Sequence, residues 1–212
     1  MPDAGRIVVL NGAPRSGKSS IAAALQARPD EVWINLGVDL FMTATPPRLR
    51  PGIRLRPGAE LPEVAALVPT LYAALYEAVA ATSRLGLDVV VDVGHHEGGA
   101  APGILADCAR RLAGLPALLV GVRCPLDTIM ARRRAAPDGY AVAAEGAPVP
   151  EPVLAWQRAV HAHGHYDLEL DTALMTAHAC AAAILERLRG GIPRPSALER
   201  LAIGVSPTAG DW

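Results

Sequence analysis

The sequence predicts an α/β fold in which a five-stranded parallel sheet carries helices on both faces. Short apolar runs alternate with longer segments of helical periodicity, a pattern typical of strand–helix–strand units. A glycine-rich loop follows the first apolar run and leads directly into the first helical segment. The chain has 212 residues, of which 51% are hydrophobic, so it is large enough for one sizeable core and is expected to form one main domain.

The five predicted strands are short runs rich in valine, isoleucine and leucine, as expected when both faces of a parallel sheet are covered. They are expected at 6–10, 32–36, 88–92, 117–122 and 167–170. The third run ends in an aspartate after three consecutive valines. This placement puts an acidic side chain at the carboxyl end of a buried strand.

Helical segments fill the intervals between these strands. They are expected at 18–27, 69–84, 102–113, 152–163 and 175–189, with a further short helix that carries 132–134. In the second of them Tyr72, Leu75, Tyr76 and Val79 recur at helical spacing, so these side chains are expected in the core. Gly86 is well placed to terminate that helix, because glycine readily adopts a left-handed conformation.

Outside these elements the composition changes. The stretch 43–62 is rich in proline and arginine and is expected to be a long, irregular active-site loop. A mobile lid is predicted near 132–150. The part at 135–150 is rich in proline, glycine and alanine, a composition that suits a mobile segment. The main domain is therefore predicted at 1–190, followed by a tail at 191–212. An apolar stretch at 198–205 in this tail is interpreted as either a docking segment or disordered chain.

The glycine-rich loop reads Gly-Ala-Pro-Arg-Ser-Gly-Lys-Ser and is a complete G-x-x-x-x-G-K-[ST] phosphate-binding motif. Its backbone N–H groups and the following helix N-terminus are predicted to bind the phosphates of ATP. The nucleotide-binding residues are expected to be Gly12, Ala13, Pro14, Arg15, Ser16, Gly17, Lys18, Ser19 and Ser20.

Lys18 is the only lysine in the chain, since the other nineteen basic residues are arginines. A compact ammonium on a flexible stem can reach the β- and γ-phosphates from beneath a tight loop, where a planar guanidinium fits badly. Lys18 is therefore predicted to take part in catalysis, and the Ser19 hydroxyl is expected to be a ligand of Mg²⁺. ATP and Mg²⁺ are the predicted cofactors.

Ligands of open parallel sheets gather at the carboxyl ends of the strands, so the polar residues there are candidates for chemistry. Asp39 follows the second strand and is either a general base that accepts the proton of an attacking hydroxyl or a helix N-cap. Asp92 ends the third strand and is either a carboxylate that holds Mg²⁺ or its water, or a loop cap. His95, His96 and Glu97 come next and are expected to line the substrate pocket.

Two further groups of polar residues, three arginines and three histidines, are candidates for the site. Arg132, Arg133 and Arg134 follow the fourth strand and are predicted to stabilise the transferring phosphoryl group. Three consecutive residues cannot all point inward, so one or two of them are expected to touch phosphate, and the alternative is a solvated helix face. Histidines alternate at 161–165, but they end a helix without a matching set of carboxylates, and metal binding there is not favoured.

Composition excludes some function classes. The net charge is −1 and no basic run is interleaved with aromatic residues, so nucleic acid is not an expected partner. Three widely spaced cysteines without a C-x-x-C pair indicate reduced thiols and a cytoplasmic location. No apolar run is expected to reach the roughly 18 residues needed to cross a membrane. A homo-oligomer is compatible with the sequence.

Four short motifs in this order carry a resemblance to a known family. They are the strand and loop Ile-Val-Val-Leu-Asn-Gly at 7–12, Gly-Val-Asp at 37–39, Val-Gly-Val-Arg-Cys at 120–124, and Tyr-Asp-Leu-Glu-Leu-Asp-Thr at 166–172. Over about residues 5–189 the chain resembles the chloramphenicol phosphotransferase family. The resemblance implies an adenylate-kinase-like P-loop fold and ATP-dependent phosphorylation of a hydroxyl group on a small antibiotic. It also implies that Asp39 is the general base.

The chain departs from the family pattern in the acceptor region. Val93 stands where family members often have a second acidic residue, and it is followed by a less typical Gly-His-His-Glu sequence. The acceptor is therefore expected to be chloramphenicol or a sugar- or nucleoside-containing antibiotic, whose phosphorylation would give self-resistance by inactivation. Two alternatives stay open: a kinase of gluconate, shikimate or a nucleoside, and a non-catalytic ATP-binding module that controls partner docking.

Overall fold

The computed structural model describes residues 3–50, 62–96, 103–136 and 147–204. Its centre is a sheet of five strands in the order β2-β3-β1-β4-β5, with every neighbouring pair parallel. The strands are β1 (Ile7–Asn11), β2 (Trp33–Asn35), β3 (Asp88–Val93), β4 (Ala117–Arg123) and β5 (Leu168–Asp171). The predicted fold class and all five predicted strands are confirmed, with boundaries that differ by at most one residue.

Eight α-helices are assigned in the described part of the chain. They are α1 (Lys18–Gln26), α2 (Val38–Ala44), α3 (Pro62–Arg84), α4 (Ile104–Arg111), α5 (Leu126–Ala135), α6 (Glu151–Ala159), α7 (Ala177–Arg189) and α8 (Ala197–Ala202). A short 3₁₀ helix, Pro47–Leu49, follows α2. The expectation that 43–62 is irregular is therefore wrong at its start, because α2 runs through Ala44 and the 3₁₀ turn follows. Residues 51–61 of that stretch lie outside the described residues.

The alternating side chains of the central strands divide the core into two layers. On one face Ile7, Val9, Val91 and Leu119 pack with α3, α4 and α8. On the other face Val8, Leu10, Val90, Leu118 and Val120 pack with α1 and α7. Each fully buried valine or leucine contributes about 1.5–3 kcal/mol relative to an exposed one, which explains why continuous apolar runs specify these strands.

The longest helix, α3, differs from the sequence prediction in two respects. It begins at Pro62 and passes through Pro69, although proline was expected to start the helix. Tyr76 is fully buried, as predicted, whereas Tyr72 is only partly buried and borders the main cleft. Gly86 follows the helix with a φ of 88°, which agrees with its predicted role in ending it.

Residues 64–84 of α3 form the one described helix that is long and apolar enough to cross a membrane by length and composition. The expectation that no apolar run reaches the length needed to cross a membrane is therefore wrong. Leu75, Tyr76, Val79 and Ala80 of this helix are buried in the core against the sheet. The same length and composition are found in core helices of soluble proteins.

The chain after residue 191 packs on the domain through α8. Ser196 and Glu199 form a capping box at its start, and Ala197 and Leu198 are buried against α4 and the sheet. The carboxylate of Asp167 accepts hydrogen bonds from the backbone N–H groups of Leu119, at 2.9 Å, and Ala197, at 2.7 Å. The apolar stretch of the tail thus begins as a docked helix, and residues 205–212 lie outside the described residues.

Candidate active site

The phosphate-binding loop joins β1 to α1 by a turn that requires glycine at two positions. A Cβ atom at Gly12 would lie 2.5 Å from the carbonyl oxygen of Val122 and 2.8 Å from Oγ of Ser16. Gly17 has a φ of 101°, a left-handed conformation that other residues rarely adopt. The helix α1 begins at the next residue, so its first N–H groups face the space above the loop. This arrangement can bind the phosphates of a nucleotide.

Lys18 is buried beneath the loop and reaches two oxygen-bearing groups. Its Nζ donates a hydrogen bond to the carbonyl oxygen of Ala13 at 3.0 Å and lies 3.7 Å from Oδ1 of Asp92. Burial lowers the pKa of this ammonium, and the negative charges of Asp92 and Asp39 act in the opposite direction. The side chain is therefore held at the loop with both predicted acidic residues close enough to affect its charge.

Ser19 and Asp92, the two residues predicted to hold Mg²⁺, meet at the phosphate end of the sheet. The Ser19 hydroxyl donates to Oδ2 of Asp92 at 2.5 Å. A hydroxyl oxygen and a carboxylate oxygen are ligands that Mg²⁺ accepts, usually together with phosphate oxygens and waters. The pair thus fits a magnesium ion, and these two residues could hold it.

Asp39 lies in the first turn of α2, and its side chain is exposed in the same cleft. The residue at the N-cap position is Gly37, so the alternative interpretation of Asp39 as an N-cap is wrong. Gly37 also brings the start of α2 close to β3, since a Cβ atom there would lie 3.1 Å from Cβ of Asp92. The arrangement places the carboxylate of Asp39 at the open side of the phosphate site.

The three consecutive arginines of α5 point in different directions, as expected. Arg132 and Arg133 line the cleft, whereas Arg134 is exposed and is not among the cleft residues. The Arg132 guanidinium donates to the backbone carbonyl oxygens of Arg15, at 3.2 Å, and Thr172, at 2.8 Å. It also donates to the hydroxyl of Thr172 at 3.0 Å. Arg132 thus ties the phosphate-binding loop to the end of β5.

The prediction that His95 and His96 line the substrate pocket is wrong, because neither is among the described cleft residues and each instead packs against an aromatic residue that is. His95 is 3% exposed, its Nε2 pairs with the Tyr76 hydroxyl at 2.8 Å, and its ring lies 4.6 Å from that of Tyr72. His96 meets the ring of Trp156 edge-on at 4.6 Å. Tyr72 and Trp156 line the cleft. Glu97, the third residue of this prediction, lies outside the described residues.

These groups surround one cleft of about 1470 Å³ whose two ends differ in chemistry. The phosphate end is cationic: its described basic residues are Arg15, Lys18, Arg132 and Arg133. The other end is apolar and aromatic and is lined by Phe41, Met42, Val68, Leu71, Tyr72, Leu75, Val93 and Trp156. The described carboxylates of the lining are Asp39 and Asp92, and Asp92 lies beside Lys18 and Ser19. Such a cleft can bring a phosphate donor and an apolar acceptor together.

Several of these cleft residues were missed in the sequence analysis. Val68, Leu71, Tyr72 and Leu75 follow helical spacing along α3. For Tyr72 and Leu75 this spacing was interpreted as a core face, and Val68 and Leu71 were not singled out. The same face extends from the core into the cleft. Trp156 gave no separate signal, because a single aromatic residue in an amphipathic helix is equally compatible with a core position.

The alternating histidines at the end of α6 form hydrogen bonds within the protein. Nδ1 of His161 and Nε2 of His163 lie 2.7 Å and 3.1 Å from the Tyr166 hydroxyl, and Nδ1 of His163 accepts from the backbone N–H of His165. No cluster of three or more metal-ligating side chains is found in the described ranges. Burial lowers the pKa of His161 to about 3 and that of His163 to about 4.

Comparison with known proteins identifies the relatives of this chain. The model of a family described as chloramphenicol phosphotransferase-like proteins matches residues 5–189. Two curated proteins from strains of Mycobacterium tuberculosis, both named "Putative O-phosphotransferase", are 29% identical over 217 aligned positions, which cover 95% of this chain and 89% of theirs.

Solved structures of small-molecule kinases share the fold. A sugar kinase from Janibacter sp. HTCC2649 is 18% identical with a TM-score of 0.58, covering 87% of this chain and 95% of that one. The shikimate kinase of Acinetobacter baumannii, solved with shikimate, is 13% identical with a TM-score of 0.57, covering 88% and 94%. At these identities the likeness establishes the fold.

Proposed function

The chain belongs to the family of chloramphenicol phosphotransferase-like proteins, and from this membership we propose that it transfers the γ-phosphoryl group of ATP to a hydroxyl group of a small-molecule antibiotic. The family and the P-loop kinase fold make it an ATP-dependent small-molecule phosphotransferase. The antibiotic acceptor and its inactivation for self-resistance are our proposal. Chloramphenicol and nucleoside antibiotics are the first candidates.

One observation supports the choice of acceptor: at the apolar end of the cleft, the described lining residues include the carboxylate of Asp39 and no cation. Phe41, Tyr72 and Trp156 offer aromatic surface to a ligand, and among the described lining residues the arginines and the lysine lie at the phosphate end. An acceptor with its own carboxylate would be repelled by Asp39. A neutral, partly apolar alcohol fits better, which favours an antibiotic over shikimate or gluconate.

The proposed reaction is a direct in-line transfer. The acceptor hydroxyl oxygen forms a bond to the γ-phosphorus while the bond to the β–γ bridging oxygen breaks, and ADP leaves. Asp39, in the first turn of α2, lines the same cleft and accepts the proton of the hydroxyl on a carboxylate oxygen. Lys18 neutralises charge on the β- and γ-phosphates. Arg133 and Arg132 face the phosphates from α5, and Arg134 is left to solvent.

Ser19 and Asp92 are the residues that would hold Mg²⁺. When bound, the ion neutralises phosphate charge and orients the β- and γ-oxygens. We propose that the kinase domain spans 1–190 with a lid near 132–150, of which residues 137–146 lie outside the described residues. We also propose a cytoplasmic location. Cys108, Cys124 and Cys180 are free and buried, which is compatible with a reducing compartment.

The acceptor proposal is tested by mass spectrometry after incubation of purified protein with ATP, Mg²⁺ and a panel of alcohols. The panel pairs neutral antibiotics, namely chloramphenicol and nucleoside antibiotics, with the anionic acceptors shikimate and gluconate. We expect a gain of one phosphate on a neutral antibiotic and none on the anionic compounds. Phosphorylation of the anionic compounds alone would replace the proposal with a metabolic kinase. The Lys18→Ala variant serves as the inactive control.

A further inference from the structure

Asn11 occupies a buried position between the phosphate-binding loop and the acceptor end of the cleft. It is the last residue of β1, directly precedes Gly12, and is 0% exposed. Its Oδ1 accepts a hydrogen bond from the backbone N–H of His95 at 2.7 Å. Its Nδ2 donates to the carbonyl oxygen of Val160 at 3.0 Å and to the Tyr166 hydroxyl at 3.1 Å. Both functional atoms of the amide are therefore used.

The partners of Asn11 belong to the two elements that border the acceptor. His95 follows Asp92 by three residues at the end of β3, and its ring packs against Tyr72. Val160 ends α6, and its backbone N–H donates to the carbonyl oxygen of Trp156 at 2.9 Å. One amide side chain thus connects the start of the phosphate-binding loop to both aromatic sides of the cleft.

We propose that Asn11 is a positioning residue that sets the phosphate-binding loop at the distance from the acceptor walls required for phosphoryl transfer. The inference rests on the proposed function as a kinase of a small alcohol. Displacements of about 1 Å between reacting groups can cost 10²-fold in rate. Only an amide presents an acceptor to His95 and donors to Val160 and Tyr166 from the same planar group.

The substitution Asn11→Asp separates positioning from simple loss of packing. The shape is retained, and one oxygen still accepts from His95. The second oxygen faces the carbonyl oxygen of Val160 and cannot donate to it while the carboxyl group is ionised. Burial raises the pKa of such a carboxyl group. His163, whose Nε2 lies 3.3 Å from Nδ2 of Asn11, is a second place for the proton. Uptake by the carboxyl group removes its negative charge, and uptake by His163 leaves the carboxylate ionised in a pair without net charge.

The charged and titratable groups around this position come from several elements. They are His95 beyond β3, Tyr76 of α3, His161, His163 and Tyr166 between α6 and β5, Arg123 of β4 with its partner Glu169, and Lys18 of α1. The cations Arg123 and Lys18 favour the ionised carboxyl group, whereas its complete burial opposes ionisation. The response of wild-type protein over the same pH range corrects for the titration of all these native groups.

The first measurement is kcat and the KM for ATP in wild type and Asn11→Asp between about pH 5.5 and pH 8.5. At the alkaline end we expect kcat of the variant to fall by roughly 10²-fold with the KM for ATP within about threefold. At the acid end the deficit relative to wild type should shrink at least tenfold. A ratio of variant to wild type that is the same at every pH would overturn the proposal.

The matched control is Ser83→Ala, which removes a buried hydrogen bond at the other end of β1. The Ser83 hydroxyl donates to the carbonyl oxygen of Gly5 at 2.6 Å. This variant should lose stability without a pH-dependent change in kcat. If Ser83→Ala and Asn11→Asp show the same kinetic pattern, Asn11 acts through stability alone and the positioning role is overturned.

A second readout does not depend on turnover. In a Trp33→Phe, Trp212→Phe background, Trp156 is the single tryptophan. Its emission in Asn11→Asp should change over the same pH interval as kcat, since Val160 links the two residues. If wild type phosphorylates no acceptor, the proposed function fails while this measurement still tests Asn11. The positioning role would be contradicted if the Trp156 emission were identical, at every pH of the interval, in the single-tryptophan protein with and without the Asn11→Asp substitution.

Discussion

The hydroxyl of Ser19 and the carboxylate of Asp92 are in direct contact, with 2.5 Å between their oxygens. These residues are 73 positions apart, one at the start of α1 and the other near the end of β3. Their contact follows from the parallel pairing of β1 with β3, in which Leu10 is opposite Asp92. The same contact places two candidate magnesium ligands beside the phosphate-binding loop.

Asp92→Asn should weaken the use of magnesium more than the binding of nucleotide. The amide retains one oxygen but removes the negative charge that favours the ion. We expect the Mg²⁺ concentration for half-maximal activity to rise by about tenfold or more, together with a lower kcat. A titration of activity with Mg²⁺ at fixed ATP checks this. An unchanged Mg²⁺ requirement would remove Asp92 from the metal site.

Asp39→Asn should act on the chemical step. The amide cannot accept the proton of the acceptor hydroxyl, so kcat is expected to fall by about 10²- to 10⁴-fold while the KM for ATP changes little. Asp30→Asn, which alters an exposed aspartate outside the cleft, is the matched control and should retain wild-type rates. Steady-state kinetics of the two variants test whether Asp39 is the general base. Full activity in Asp39→Asn would exclude Asp39 from that role.

Trp156→Ala should impair binding of the acceptor selectively. The indole lines the apolar end of the cleft and packs over Gly94, where a Cβ atom would lie 3.2 Å from the ring. Loss of this surface is expected to raise the KM for the acceptor by about tenfold or more and to leave the KM for ATP nearly unchanged. Equal increases in both KM values would instead indicate a general distortion of the site. Trp156→Phe should recover most of the loss.

Stability should fall in mild acid because of the buried histidines. Burial lowers the pKa of His95 to about 3, that of His161 to about 3 and that of His163 to about 4, below the value near 6.5 of an unfolded histidine. The unfolded chain therefore binds more protons as pH falls below about 6.5. Each histidine then removes about 1.4 kcal/mol of unfolding free energy per pH unit, until its folded pKa is reached.

Urea unfolding between about pH 7 and pH 4.5 checks this dependence. The slope should decrease in His161→Gln, because one of the titrating groups is removed. His178→Gln, which changes a histidine outside the buried network of Asn11 and Tyr166, is the control and should keep the wild-type slope. Unfolding free energies that are flat with pH would show that the histidines are not held neutral by the fold.

The sheet and the phosphate site could be predicted from the sequence because they depend on local signals. Apolar runs specified the strands, and the loop from Gly12 to Ser19 specified its own turn and the helix after it. The contact of Ser19 with Asp92 then followed from the rule that the carboxyl ends of parallel strands meet at one edge.

Other parts of the site depend on contacts between distant segments. The same helical spacing placed Tyr72 and Tyr76 on one face, and only the packing of α3 shows that one borders the cleft while the other is buried. Adjacent histidines at 95 and 96 gave no indication of which direction each points. The role of Asn11 depends on groups 84 to 155 positions away, beyond the reach of any local pattern.

The fate of the γ-phosphoryl group tests the central claim most directly. Wild type and Lys18→Ala are incubated with Mg²⁺, chloramphenicol and ATP labelled at the γ-position, and the label is followed in product, in ATP and in inorganic phosphate. We predict that wild type moves the label to the hydroxyl compound and that Lys18→Ala leaves it on ATP. Label that stays on ATP in wild type, for chloramphenicol and for every other alcohol of the panel, would contradict the assignment as a phosphotransferase.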